Sequence, residues 1–590
     1  MPIDDFEERF RLDDKLRGGS AADFSIRVRS VTIQSGDPIN FAANGVTLVV
    51  GGNNSGKSTL LRQMHESITA YSPPVNTTPD LLTRQDIHFG GTEADAHAWL
   101  AQGSHVGRHG YLVRGNEVNP GIVSLVISQG DGHLRELGLA STLAPNARSR
   151  FESVAPAPRR ADFTDPPTHD LHYFEDDSNL REELSEHCKA IFGSGLTLDP
   201  LSGSLLFRYG QTSVEAPLIS DISDEYRQDL AKLSPLDSQG DGVAATLGLL
   251  IPLLAGRTQI AFVDEPEAYL HPPQAFKLGR ILASIAEKHS IQLVVATHDK
   301  NFVAGVLSAE VLEKTVVRLE RSGTETTGYK VDPEQLEEVW TSPLLRHSNI
   351  LDGLFHRAVV VAEDARDCLF YSAALEAAAP LENDLLPSDV LFASANGKGG
   401  IAEIARILQA AHVPVVAVMD MDAVNDKAFL KRIVESVGGS WTGSLEQNYQ
   451  KATAEFRQPR KPQTNRTVNA LISGVLEVAP DKIFTGETRD AVKGVLASEN
   501  PWDAIKKFGL QGFKADRGAA NELRQELAGS GVLLVPVGEL EQLAPEVTVK
   551  KGPGWVLAAL KQGAHSTPSV VSFATEISDA VSRREAALAG

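Results

Sequence analysis

Short, wholly apolar and β-branched runs alternate with helix-forming stretches in both halves of the chain, at Val46 to Val50, Ile260 to Val263, Leu293 to Ala296, Ala358 to Val361 and Val415 to Met419. Runs of four or five residues without polar alternation read as strands buried on both faces. Separated by helical segments, they predict an α/β chain with mainly parallel sheets. The signal weakens between Tyr71 and Ser234, and Ala155 to Asn179 is rich in Pro, Asp and His with little periodicity. That pattern predicts an insertion over about 71–234 carrying a long surface loop. A break near Thr341 to Asn349 separates two strand-helix series, so two domains are expected, 1–345 and 346–590, the second ending in a helical tail.

The chain's 590 residues exceed what one core usually holds, and 42% hydrophobic with 23% charged residues excludes disordered, collagen-like and disulfide-scaffold classes. The longest apolar run, Val243 to Ala255, is about one core helix long and too short to span a membrane. The first residues are acidic without a signal-peptide pattern, and Cys188 and Cys368 cannot make a four-ligand zinc site alone, so a cytoplasmic protein is expected. Net charge is −21, spread as −16 over residues 1–350 and −5 over 351–590. This argues against a basic coat for nucleic acid and leaves local patches to decide.

The run Val46 to Val50 leads straight into Gly51-Gly-Asn-Asn-Ser-Gly-Lys-Ser58, followed by the helix formers Thr59-Leu-Leu-Arg-Gln-Met. Strand, G-x-x-x-x-G-K-S loop and helix together form a phosphate cradle. The glycines Gly51 and Gly56 let the backbone N–H groups of Asn53, Asn54, Ser55 and Thr59 turn toward phosphates at the positive helix end. Lys57 reaches the β and γ phosphates, and Ser58 ligates Mg²⁺. Downstream, the strand Gln259 to Val263 ends in Asp264-Glu265. There Asp264 suits Mg²⁺ and Glu265 suits polarising a water at the γ-phosphate. The strand Gln292 to Thr297 ends in His298, where a γ-phosphate sensor belongs.

These three elements in this order resemble the ATP-binding-cassette ATPases, specifically the branch with SMC and OLD (overcoming lysogenization defect) proteins, over about Ser25 to Val317. The resemblance implies ATP as ligand and a homodimer or larger even-numbered assembly joined by ATPase domains. It also implies a signature segment that contacts the γ-phosphate held by the other subunit. Ser238 and Gly240, in Ser238-Gln-Gly-Asp-Gly242 ahead of an apolar helix, match that place, although a plain helix cap fits the segment equally. Gln85 is a candidate for the lid-linking glutamine. His271, in Tyr-Leu-His-Pro, is either a subunit-contact residue or an ordinary turn residue.

In the second half, the strand Ala358 to Ala362 ends at Glu363, and Val415 to Met419 ends in Asp420-Met-Asp422. Carboxylates at the carboxyl ends of parallel strands converge on one rim of a sheet, and repel one another unless cations stand between them. The arrangement resembles the Toprim fold, in which a Glu after one strand and an Asp-x-Asp after a later one bind Mg²⁺ for phosphodiester chemistry. Here the usual Glu-Gly is Glu363-Asp364. Lys398, in Ser394-Ala-Asn-Gly-Lys-Gly-Gly400, occupies the Gly-Lys loop common between these strands and is either a phosphate contact or a solvated turn lysine. Late in the chain Val532 to Val537 leads to Gly538-Glu-Leu-Glu541. In an extended segment Glu539 and Glu541 face the same way, toward the cluster, and the resemblance to OLD proteins implies that such a late acidic pair helps hold a second metal, the alternative being a hairpin end. Lys451, Arg457, Arg460, Lys461 and Arg466 form a flexible basic loop suited to phosphate contacts or simply solvated.

An ABC-type ATPase followed by a Toprim domain resembles the OLD family, which includes the nuclease subunit of the Gabija antiphage system. The resemblance implies a DNA endonuclease or nickase that binds and hydrolyses ATP and uses Mg²⁺, with Mn²⁺ possible in the Toprim site. It also implies a role in antiphage defence, with a defence partner protein possible. A Toprim RNase and an SMC-like scaffold controlling a separate effector are the alternatives.

Overall fold

Seven consecutive buried residues, Gly45–Gly51, form the strand that the sequence places before the phosphate loop, and it runs through the centre of a sheet. The computed structural model describes residues 16–589 apart from 35, 71–79, 104, 114–115, 130–134, 163–164, 166, 216, 218–220, 257, 311–312, 335, 337–348, 382–384, 458–463, 478–480, 482, 497–501 and 553. The chain divides into two units, Met1–His347 and Ser348–Gly590. The break expected at Thr341 to Asn349 lies almost wholly outside the described residues.

In the first unit we label β1 (Ser25–Ile33), β2 (Ile39–Asn40), β3 (Gly45–Gly51), α1 (Lys57–Thr69), β4 (Leu82–Gly90), β5 (Thr142–Leu143), α2 (Ala147–Ser153), α3 (Asp241–Ala255), β6 (Ile260–Asp264), α4 (Pro272–Lys288), β7 (Gln292–Ala296), β8 (Glu313–Ser322) and β9 (Glu325–Val331). The main sheet runs β9-β8-β3-β7-β6-β5, parallel except for the antiparallel β8-β9 pair. A second sheet, β2-β1-β4, is antiparallel. Because β3, β7 and β6 are parallel neighbours, their carboxyl ends bring the phosphate loop, Asp264 and His298 to one edge.

The stretch expected as a single insertion is partly woven into these sheets. β4 pairs with β1 over Ser25 to Ile33, and β5 pairs with β6. These are short or half-exposed strands, whose periodicity is too brief to stand out in sequence. Nor is Ala155 to Asn179 a bare loop. Asp170–Asp176 is helical, and Arg159 and Arg160 pair with Glu175 at 3.1 and 3.0 Å. α3 is buried along nearly its whole length, and Gly248 lies so close to Arg150 that a Cβ would meet its carbonyl oxygen. Among the described residues no helix is long and apolar enough to cross a membrane.

In the second unit, β10 (Ala358–Ala362), α5 (Ala365–Ala378), β11 (Val390–Ser394), α6 (Lys398–Ala410), β12 (Val415–Met419), α7 (Asp503–Phe508), β13 (Val532–Leu534) and α8 (Pro568–Ala589) carry the architecture. The sheet order is β11-β10-β12-β13, parallel throughout. The alternation read from sequence therefore gives an α/β fold in both units.

The expected tail, α8, is part of the core: Val570, Phe573, Ala574, Ile577, Ala580 and Val581 are buried, and the Phe573 ring lies 5.7 Å from Tyr371 on α5. Phe573→Ala is accordingly expected to destabilise the second unit by about 3–5 kcal/mol, read as a lower urea midpoint. A change under about 1 kcal/mol would return α8 to the status of a tail.

Candidate functional site

The loop after β3 is shaped by its backbone. Gly51 (φ 148°), Asn54 (φ 62°) and Gly56 (φ 97°, the N-cap of α1) take positive φ, and a side chain on Gly51 would strike the Leu319 carbonyl. Only glycine, or Asn at a lower rate, tolerates this turn without strain. Lys57 is buried, and its Nζ donates to the Gly51 and Gly52 carbonyls at 2.9 and 2.8 Å, which holds the ammonium inside the loop. Asn53 and Asn54 are exposed, and Arg321 donates to the Asn54 carbonyl at 3.4 Å.

Ser58 and Asp264 line the same cleft, and the serine hydroxyl favours the charged form of the Asp264 carboxylate, so the helix start and the end of β6 meet. Burial, reinforced by Glu265, raises the Asp264 carboxyl above its ordinary range, and burial lowers the Lys57 ammonium. Ser55 Oγ and Asp264 Oδ1 are buried without a hydrogen-bond partner. A donor hydroxyl inside a phosphate cradle and an unsatisfied carboxylate oxygen beside Ser58 fit a nucleotide phosphate and a divalent cation respectively. Glu265, at the positive φ of 46°, places Oε1 3.0 Å from His298 Nδ1. Glu267 accepts from Thr297 Oγ1 at 2.6 Å and lies 3.9 Å from the same His298 nitrogen.

Sequence reasoning missed Arg150, whose buried guanidinium donates to the Asp264 and Glu265 carbonyls and so fixes the strand end that carries both acids. It comes from α2, inside the stretch of weakest periodicity. A cleft of about 570 Å³ opens here, with Ser58, Thr59, Asn146, Arg150, Asp264 and Glu265 among its lining. Gln85 is elsewhere. Its Oε1 accepts from Ser67 at 3.1 Å, ten residues along α1 from Lys57, or about 15 Å at 1.5 Å per residue. The lid-glutamine expectation is thereby corrected. Ser238 and Gly240 stand exposed at the start of α3, with Gly240 as its N-cap, and Ser238 Oγ donates to the Pro235 carbonyl at 2.7 Å. His271 is the exposed N-cap of α4, its N–H bonded to Gln274 Oε1 at 3.2 Å.

The second unit gathers the predicted carboxylates on the rim of its sheet. Asp420 is pushed up to about 8 by burial first and then by Glu363, Asp422, Glu539 and Asp367. Burial also raises Glu363, whose Oε1 is buried without a hydrogen-bond partner. Asp367, overlooked in the sequence, is pushed up to about 6 by burial and by Asp364, Glu363 and Glu541. It lies on the first turn of α5, four residues past Glu363, a spacing that returns a helical side chain toward the strand end.

The expected metal-ligand set is not assembled as such: among the described residues no group of three or more His, Cys, Asp or Glu is arranged to hold a metal ion. Ammonium groups stand between the carboxylates instead. Lys398 contacts Asp422 and lies 3.8 Å from Glu363. Lys506 meets Glu539 at 3.1 Å, and Lys551 meets Glu539 and Glu541 at 2.9 and 3.4 Å. These opposite charges offset the repulsion among the carboxylates at a rim where the lysines stay half exposed. The orphaned Glu363 oxygen and the mutual repulsion around Asp420 mark this rim as a place where added positive charge is favourable.

Two local expectations need correction. Glu539 and Glu541 do not share an extended segment: β13 ends at Leu534, and Leu540–Leu543 is a 3₁₀ turn that still brings both to Lys551. The basic stretch is not one flexible loop either. Lys451 lies in the last turn of the helix Gly443–Thr453, Arg457 closes the 3₁₀ turn Ala454–Arg457 with its guanidinium 4.8 Å from the Tyr449 ring, and Arg466 sits on a further helix. Arg460 and Lys461 lie outside the described residues.

Residues 145–304 match the family model described as "AAA domain, putative AbiEii toxin, Type IV TA system". The OLD nuclease of Thermus scotoductus is 28% identical over 265 residues, 43% of this chain and 48% of that protein. The Old nuclease of Escherichia phage P2 is 22% identical over 173 residues, 28% of each chain. The chain resembles OLD nucleases. The likeness spans less than half the length of either relative. Among solved structures, an SMC head bound to the C-winged helix domain of ScpA aligns with 53% of this chain and 100% of its own at 12% identity and a TM-score of 0.33. In this OLD-like chain the matched family segment contains Arg150, Ser238, Asp264, Glu265 and His298.

Proposed function

We propose that the chain is an ATP-hydrolysing, Mg²⁺-dependent DNA endonuclease or nickase of the OLD type, built from an ABC-type ATPase domain over 1–345 and a Toprim nuclease domain over 346–590. A role in antiphage defence follows by family analogy alone. The observation that carries the reading is the joint presence of a phosphate loop whose Ser58 meets Asp264 and a parallel sheet whose strand ends gather Glu363, Asp420 and Asp422.

In the first unit Lys57 exchanges the Gly51 and Gly52 carbonyls for phosphate oxygens, while Ser58 and Asp264 would hold Mg²⁺. Glu265 accepts the proton of the attacking water, and His298, 3.0 Å away, orients that carboxylate and faces the γ-phosphate. In the second unit Glu363, Asp420 and Asp422 would hold Mg²⁺ or Mn²⁺, with Glu539 and Glu541 at a second position. A cation held there would supply an activated water and neutralise charge developing on the phosphate. Lys398, Lys506 and Lys551, released from the carboxylates, pair with substrate phosphates.

Incubating the purified chain with plasmid DNA and with total RNA, with Mg²⁺ or Mn²⁺ and with or without ATP, tests the reading. Metal-dependent nicking of plasmid supports it, and RNA cleavage alone selects the RNase alternative. The ammonium groups that already neutralise the cluster favour the second reading, an ATPase scaffold without nuclease chemistry, and ATP turnover with neither nucleic acid cut would select it.

Exposed Ser238 at the start of α3 is suited to reach ATP bound by a second copy. Ser238→Arg is expected to lower ATP turnover about 10- to 150-fold, the value of one hydrogen bond to a charged group. It should also abolish an ATP-dependent dimer in light scattering. A variant that remains monomeric yet turns over ATP at the wild-type rate would rule out action across a dimer.

A further inference from the structure

Beside the acidic cluster, α7 ends in Lys506, Lys507 and Phe508, all exposed, and 50% of Phe508 is open to solvent. This exposure is built in. Ile505 is fully buried on the opposite face. The next residue, Gly509 (φ 54°), packs so tightly that a Cβ would strike the Pro536 carbonyl, which also accepts from the Leu510 N–H at 2.9 Å. Two residues on, the Gly538 carbonyl accepts from the Met421 N–H at 2.9 Å, between Asp420 and Asp422. The turn that presents Phe508 is thus fastened to the same backbone that positions Glu539 and the Asp420–Asp422 turn.

Its charge surroundings are specific. Lys506 meets one Glu539 oxygen at 3.1 Å, and Lys551 meets the other at 2.9 Å. Lys507 Nζ stands 5.2 Å from the Phe508 ring centroid. On the Lys551 side, Val549 and Lys550 are exposed as well. An aromatic face among ammonium groups is poorly suited to a protein partner, because lysine is depleted from protein interfaces. It suits nucleic acid, where cations take the phosphates and the ring takes a base. A regular duplex keeps its base faces stacked inside and offers the grooves only base edges. The ring therefore needs a base that is out of the stack.

We infer that Phe508, with Lys507 against its ring, is a stacking platform for an unpaired nucleotide at the rim of the acidic cluster, so that the substrate class is single-stranded nucleic acid or a duplex opened at an unpaired base. The inference rests on the nuclease reading and names the substrate form of that same site.

The test measures anisotropy of a labelled single-stranded oligonucleotide, and of its blunt duplex, at fixed salt in EDTA so that nothing is cut. Phe508→Ala is expected to weaken single-strand binding about 5- to 150-fold, the usual loss for one base–aromatic stack, and to leave duplex binding within about twofold. Phe508→Trp should restore the affinity, with indole emission quenched on adding the oligonucleotide. The inference is overturned by single-strand affinity unchanged in Phe508→Ala, by equal losses on both substrates, or by a wild type that binds neither. Plasmid cleavage run with the same proteins separates the two failures. Wild-type cutting with an indifferent Phe508→Ala removes the platform alone, whereas a wild type that cuts no nucleic acid removes the nuclease reading.

Discussion

The Glu363→Ala, Asp420→Ala double variant is expected to cleave nucleic acid at least about 10³-fold more slowly than wild type, because a catalytic cation supplies several kcal/mol and each 1.4 kcal/mol is tenfold. Both carboxylates lie at strand ends whose neighbours are other acids, and burial is the largest influence on each. Removing them takes away desolvation and repulsion without opening the core, since β10 and β12 remain fully buried beneath. Thermal stability should therefore stay level or rise while cleavage is lost, and ATP turnover should persist because its residues belong to the first unit. Supercoiled-plasmid nicking beside a melting curve checks both halves. Wild-type nicking by the double variant would leave the acidic cluster without a catalytic role and make the scaffold reading the better one.

Lys57→Ala and Glu265→Gln should separate nucleotide binding from hydrolysis. The Lys57 ammonium is buried in the loop and held there by two carbonyls, so in the bound state it gives charge-assisted bonds to phosphate. Losing one or two such bonds weakens ATP binding by about 10- to 10³-fold. Glu265→Gln keeps the shape and loses the base. Its effect is expected in turnover, about 10²- to 10⁴-fold, with the dissociation constant for ATP changed by less than about threefold. Calorimetric titration and phosphate release read the two quantities separately. Equal turnover in wild type and Glu265→Gln would remove Glu265 from the chemistry.

The sequence by itself determined the α/β class of each unit and singled out most of the residues that the two candidate sites gather, because both signals are local. Five-residue apolar runs such as Ala358 to Ala362 can be satisfied only by strands covered on both faces, and acids at their ends must then share a rim. The phosphate loop is legible for the same reason: its glycines, lysine and serine do their work within eight consecutive residues. What tertiary structure decided depended on long-range packing. Arg150 is a surface-type residue in a poorly periodic stretch, and only the approach of α2 to the end of β6 turns it into an anchor for Asp264 and Glu265. Gln85 carries the right side chain, yet the pairing of β4 with β1 delivers it to Ser67, far along α1. Asp367 stands close to Glu363 in sequence, but its place among the acids depends on the helix that β10 launches. Lys506 and Lys551 lie more than 80 residues from Asp420, and the fold of the loops around Glu539 brings their charges there. α8 reads as a tail because its polar and apolar residues are mixed, and it becomes core because one face meets α5. Local pattern fixes what each segment can be; which side chains share a site is set by contacts between segments whose energies depend on the whole fold.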